Sequence, residues 1–417
     1  MKLHRLATAM ALVLGSTAGS AMAAESLFAP LENREFYSKP GELLQQVAAD
    51  PANARIEIVA ARADAVNADT EALQIDLPGG IVVEATRRKH EVLESGNELW
   101  VGSFPATPVR GLSRGLPLDG ELDHVLIVRS GDTLLANIRI GGELYRLVPI
   151  DGGAHALVEV DQSKFPPDES ETGYAEMVAA SEPDSKADFT PELGPKAIST
   201  IRVLVAFGAS ATAAVGNEQQ AIDLAFAEAN QALAATNTEI VFQQAGPIRF
   251  YTQSETTNYS TMLTRLTSLT DGFYDAIGGQ RNTNTADIVA YVAPASTTLC
   301  GQAAGIATSN ARAYFVISPN CLSGNWTFVH EAGHVVGTRH DNDPTTTPFS
   351  YGHGFVIPSI SRRTVMAVNN GSCATCTRFG AFSSPSYTLN GVAIGTANFN
   401  DNTRVWKTRG PTVAAFR

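Results

Sequence analysis

The chain is expected to fold as a mostly β unit followed by an α/β domain, the two joined by an acidic linker. Before residue 160, alternating or apolar segments at 81–85, 98–102, 124–129 and 144–148 are separated by glycine turns, the pattern of short strands in a sheet. From 162 to 196 the composition becomes rich in Pro, Glu, Asp and Ser, too polar to bury a core and expected to be flexible and cleavable. From Thr200 onward, buried-strand and helix periodicities alternate.

That second half reads element by element. The run Ile-Arg-Val-Leu-Val-Ala-Phe at 201–207 is almost wholly apolar, as a strand covered on both faces must be. An alanine-rich helix is expected at 218–235, strands near 239–251 and 287–293, and helical patterns near 258–277 between them. The apolar run at 314–318 is a further strand, and a helix follows from about Asn325. After Gly337 few periodic segments remain, so the rest should be irregular. The expected boundaries are therefore 1–23, 24–161, 162–196 and 197–417.

The first of these segments is a secretory signal. Lys2 and Arg5 precede an apolar stretch at 6–14, and Ala21-Met22-Ala23 supplies small residues for cleavage. The stretch is too short to span a bilayer, and no later segment is long and apolar enough to do so. A secreted, non-membrane protein is expected.

The net charge of −12 is uneven: 13 basic and 12 acidic residues lie from 200 onward, leaving 17 and 30 before it. A near-neutral second half argues against nucleic-acid binding, which calls for a basic face. The acidity of the first half either aids solubility or covers a cationic cleft.

Residues 330–341 carry the chemistry, with the spacing H-E-x-x-H-x-x-G-x-x-H followed by Asp341. His330 and His334 stand four apart on a helix, so both imidazoles leave one face a turn apart and can share one zinc ion. Gly337 can take a positive φ, end the helix and let His340 return as third ligand. Three protein ligands leave an open position, the catalytic form of a zinc site, and Glu331 is placed to act as general base on a water there. His353 is expected to be structural, since three ligands are already assigned.

At these residues the chain resembles the metzincin clan of zinc endopeptidases, whose members carry a methionine turn beneath the metal. Met366, in Arg363-Thr-Val-Met-Ala-Val368, fits that turn, and Asp341 and Val368 are similar to the adamalysin side of the clan. A tyrosine just after the methionine, which some members have, is absent, so no tyrosine is assigned to the metal. The motifs Tyr351-Gly-His-Gly354, Phe382-Ser-Ser-Pro385, the Cys373 to Cys376 pair and the C-terminal 412–417 resemble bacterial peptidyl-Asp metalloendopeptidases over roughly 200–417. The resemblance implies a metzincin-like catalytic domain with a twisted mixed sheet and an active-site helix, preceded by a pro-domain that acts as inhibitor and chaperone. A monomer with one Zn2+ per chain is expected; structural Ca2+ is left open.

The same resemblance implies cleavage of protein or peptide substrates before Asp, with Glu as a lesser possibility. The acidic side chain would sit in a pocket walled by the chain around the methionine turn. A buried carboxylate needs a cation, and a guanidinium can grip it with two bonds. Lys407 is the single lysine from 200 onward, while Arg339, Arg362, Arg363 and Arg378 flank the site. Arg362, Arg363 and Arg378 are the substrate-binding candidates. Asp184 and Asp188 in the linker would then be points of self-maturation. An endopeptidase of apolar specificity, a zinc hydrolase of a non-protein substrate, and a dead zinc-binding module remain alternatives, though Glu331 disfavours the last.

Four cysteines, all from Cys300 onward, allow three pairings in an exported chain. Those nearest in sequence, Cys300–Cys321 and Cys373–Cys376, are expected. A redox or zinc-knuckle role for Cys373 and Cys376 is the alternative. No cysteine precedes Cys300, so any latency must come from a carboxylate or simple cover.

Overall fold

Alternation in the first half produces a ten-stranded sheet. The computed structural model describes residues 24–31, 41–105, 122–181, 197–252, 255–369 and 372–417. The signal segment 1–23 and residues 182–196, with Asp184 and Asp188, lie outside the described residues. From Ala72–Leu77 to His155–Val160, seven strands pair antiparallel with successive neighbours, and Asn53–Ala61 pairs beyond the last. The period of two is visible in the strand Ile81–Val92: Val83 and Ala85 are buried, Val82 and Glu84 exposed. The inward side chains, among them Trp100, Ile127, Ile138 and Leu147, form this unit's own core.

The second half is a three-layer α/β domain. Strands β1 (Ser199–Gly208), β2 (Ile240–Gln244), β3 (Arg249–Tyr251), β4 (Ile288–Val292), β5 (Gly301–Ala303) and β6 (Tyr314–Ile317) make one sheet in the order β2-β1-β4-β6-β5, with β3 also on β1. All pairs are parallel except β5 with β6, so β5 is an antiparallel edge. The longer helices are α1 (Glu171–Ala179), α2 (Glu218–Ala235), α3 (Tyr259–Ser268), α4 (Ala276–Thr283), α5 (Thr327–Val336) and α6 (Asn402–Val413). Alternate residues of β1 explain the layers. Ile201, Val203 and Val205 pack with Ile222, Phe328, Val335 and Trp406 on the α2, α5 and α6 face. Leu204 packs with Met262, Leu266 and Ile277 on the α3 and α4 face.

Several expectations need adjustment. The strand expected over 239–251 is two, parted at Gly246, whose φ is 72°. The helical patterns near 258–277 are two helices, α3 ending on Leu269 in the left-handed region and α4 running on to Thr283. α5 begins at Thr327 rather than Asn325, because Trp326 itself takes a φ of 56°. The three-residue β5 and the helix α6 went unpredicted: Gly-Gln-Ala carries no strand signature, and α6 contains Gly410 and Pro411. Capping helps α6, as Asp401 Oδ1 accepts from Arg404 N at 3.1 Å.

The larger correction concerns the linker. Residues 162–180 are not a solvated tether: Ser170 Oγ caps α1 by accepting from Gly173 N at 2.9 Å, and Met177 enters the core of the second domain. Both disulfides are as expected, Cys300–Cys321 and Cys373–Cys376.

The first unit grips the second along α2. Gln220 Nε2 donates to the carbonyls of Val128 and Thr133 at 2.9 and 3.1 Å, and Asn97 Nδ2 to Asp223 at 2.7 Å. Arg139 reaches further, donating to Gly324 O and lying 3.5 Å over the Trp326 ring at the head of α5. Burial pulls its guanidinium down to about 10.

Candidate metal centre and active site

α5 is buried along its whole length, so its imidazoles lie where water is scarce. His330 and His334 leave the same face, and Gly337, at φ 121°, turns the chain so that His340 returns to them. His330 Nε2 lies 3.1 Å from His334 Nε2 and 3.2 Å from His340 Nε2. Donors about 2.0–2.1 Å from a tetrahedral zinc stand roughly 3.3 Å apart, so the three nitrogens fit one small divalent ion. Their orientation is fixed from behind. His330 Nδ1 is 2.9 Å from Val365 O and His334 Nδ1 is 2.9 Å from Thr338 O, each pairing that leaves the Nε2 lone pair facing inward. Burial lowers His334 to about 4, keeping it in the neutral form a metal needs.

Glu331 lies beside this cluster against β5. A Cβ on Gly301 would come within 2.6 Å of Glu331 Oε1, so only glycine there leaves room for the carboxylate. Both Glu331 oxygens are buried and meet no hydrogen-bond donor among the described residues. Burial, with the neighbouring Glu169 and Asp168 carboxylates, holds the Glu331 carboxyl well above its usual range. Met366 is fully buried under α5, and a Cβ on Gly333 would lie 2.9 Å from its sulfur. Asp341 Oδ1 accepts from Val368 N at 2.9 Å, tying the chain after His340 to the turn that follows Met366.

His353 is structural, as expected. Its ring stacks on Phe399 at 3.9 Å, with its nitrogens at the carbonyls of Phe399 and Thr345.

Sequence reasoning missed the residues that close the site from outside. Glu169 Oε1 is 3.0 Å from His334 Nε2 and 3.3 Å from His330 Nε2, and its Oε2 is 3.3 Å from His340 Nε2. One carboxylate thus faces all three imidazoles. Burial would raise its pKa, but His340 and His330 outweigh that and hold it well below the usual range. Tyr174 of α1 stacks on His340 at 4.1 Å, and its hydroxyl donates to Asp343 at 2.8 Å and accepts from His340 N at 3.2 Å. Nothing marked these residues in the sequence beyond an Asp-Glu pair in a polar stretch.

The three arginine candidates separate. Arg363 is buried but faces away, donating to the carbonyls of Cys376 and Ala367 as a brace of its own loop. Arg362 lies against Gly142 of the first unit. Arg339 pairs with Asp343 at 2.7 Å behind the site. Arg378 alone of the four reaches the cleft, where it pairs with Asp168, whose Oδ2 is 3.9 Å from His330 Nε2.

A model of Metallo-peptidase family M12 matches residues 198–383. The peptidyl-Asp metalloendopeptidase of Xanthomonas campestris pv. campestris is 37% identical over 382 residues, covering 90% of this chain and 88% of its own. That of Stenotrophomonas maltophilia strain R551-3 is 36% identical over 419 residues, covering 97% of each. Among solved structures, metalloproteinase-II from Bacteroides fragilis aligns with a TM-score of 0.39 at 12% identity, over 65% of this chain and 82% of that one.

Proposed function

The chain belongs to the peptidyl-Asp metalloendopeptidase family and is a metalloendopeptidase, and from that premise we propose that it is a secreted zymogen that binds one zinc ion and cuts on the amino side of aspartate. The observation that carries this reading is the convergence of the His330, His334 and His340 Nε2 atoms on one point beside the Glu331 carboxylate.

Zinc held by these imidazoles supplies a Lewis acid that polarises the scissile carbonyl and eases deprotonation of water. Glu331 takes the proton of the attacking water and delivers it to the leaving amine. Asp341 and Met366 keep the floor of the site in register. Before maturation, Glu169 fills the side of the cluster that water and substrate need. The leader therefore extends to α1, and a cut within 182–196 releases it. Asp184 and Asp188 lie in that interval and match the preference of the enzyme itself. The mature enzyme acts as a single chain on protein or peptide substrates.

Digestion of a peptide library by the matured protein, with and without a chelator, tests this. Cuts clustered before Asp that stop on chelation and return with zinc are expected. Cuts before large apolar residues would remove the acid preference, and hydrolysis that survives chelation would remove the metal.

A further inference from the structure

We propose that Arg378 is the residue that reads the aspartate of the substrate, and that Asp168 of the leader occupies its pocket in the zymogen as a substrate mimic threaded in the opposite direction. The inference rests on the reading that the enzyme cuts before Asp, and it assigns that preference to one side chain.

Both side chains that bond the Asp168 carboxylate, Arg378 and Thr327, come from the second domain. Asp168 Oδ1 accepts from Arg378 Nη1 at 3.1 Å and from Thr327 Oγ1 at 2.9 Å, while Oδ2 accepts from Arg378 Nη2. This is a two-pronged guanidinium–carboxylate pair with a hydroxyl beside it, the geometry that selects a planar acid. Asp168, Arg378 and Thr327 are all buried. Arg378 is held in place by a second bond, Nη1 to Asn325 O at 3.0 Å, so the fork is positioned by the backbone that leads into α5. Once Asp168 leaves, the fork lacks its carboxylate, which favours an acidic side chain from the substrate.

The backbone around Asp168 meets the sheet edge through two hydrogen bonds. Cys300 N donates to Pro167 O and Gly301 N to Asp168 O, both at 2.9 Å. Both numberings rise together, so the leader runs parallel to β5. The next residue, Glu169, is the one over the histidine cluster. A substrate cut before Asp must instead place the residue preceding its aspartate over the histidines. With the aspartate in the same pocket, the two chains cross the site in opposite senses, and the substrate runs antiparallel to β5. The leader thus presents a carboxylate to the metal site where a substrate presents its scissile carbonyl.

The test uses enzyme matured from the secreted full chain and two matched peptides that differ only in Asp or Asn after the scissile bond. Arg378→Gln and Arg378→Lys are expected to lower the Asp-to-Asn ratio of kcat/KM by roughly 100-fold, the scale of a lost charged pair in a buried site. Wild-type preference that persists in both variants would overturn the assignment, whereas a wild type without Asp preference would overturn the functional reading itself. A second arm needs no variant of the enzyme: a synthetic peptide of residues 161–181 is tested as inhibitor of the matured wild type. Asp168→Asn in that peptide should weaken inhibition at least about tenfold. A peptide that does not inhibit, or that inhibits equally with Asn at 168, would count against the mimic.

Discussion

Glu331→Gln is expected to lower kcat by at least about a hundredfold on every peptide the enzyme cuts, the usual scale for a general base. Glutamine has nearly the same shape, so it fits the space that Gly301 leaves beside the side chain. It keeps the three imidazoles untouched and removes only the group that accepts the proton. Metal content and thermal melting should therefore match the wild type, and steady-state kinetics should show the loss in kcat with little change in KM. Near-normal turnover would show that another group moves the proton. A lost metal would show that the carboxylate holds the site together instead.

The second large effect concerns latency. Glu169→Ala in the intact chain is expected to raise peptide hydrolysis before maturation roughly ten- to hundredfold, because a charged bond of this kind is worth about 1.5–3 kcal/mol. The change removes the carboxylate that faces all three histidines and so weakens the hold of the segment on the cleft, which opens more often to a peptide. The rate is read on a quenched peptide with the maturation interval 182–196 altered so that it is not cut. An intact chain as silent as the wild type would mean that steric cover alone enforces latency.

How much of this was legible in the sequence varies with the range of the interactions involved. The metal motif was readable because its parts lie within eleven residues on one helix and its turn, where spacing alone fixes geometry. The buried parallel strands were readable because both faces must be apolar. Asp341 and Met366 could be placed only through the resemblance, since the bond from Val368 N to Asp341 spans a loop. The closing residues could not be read at all. Glu169 meets His330 across 161 positions and Asp168 meets Arg378 across 210, and no local pattern records such pairs. The polar composition of 162–180 instead suggested a free tether. That segment is ordered because its carboxylates are paired with cationic and imidazole groups, not because it has a core of its own. The three arginines illustrate the same limit: sequence placed them near the site, but only the fold shows that Arg363 turns to its own loop and Arg378 to the cleft.

Anomalous diffraction at the zinc edge from crystals of the intact chain addresses the metal centre and its block together. One peak is expected among the Nε2 atoms of His330, His334 and His340, with the Glu169 carboxylate completing its coordination. Zinc bound elsewhere, or bound by the three histidines while Glu169 points away, would contradict the account.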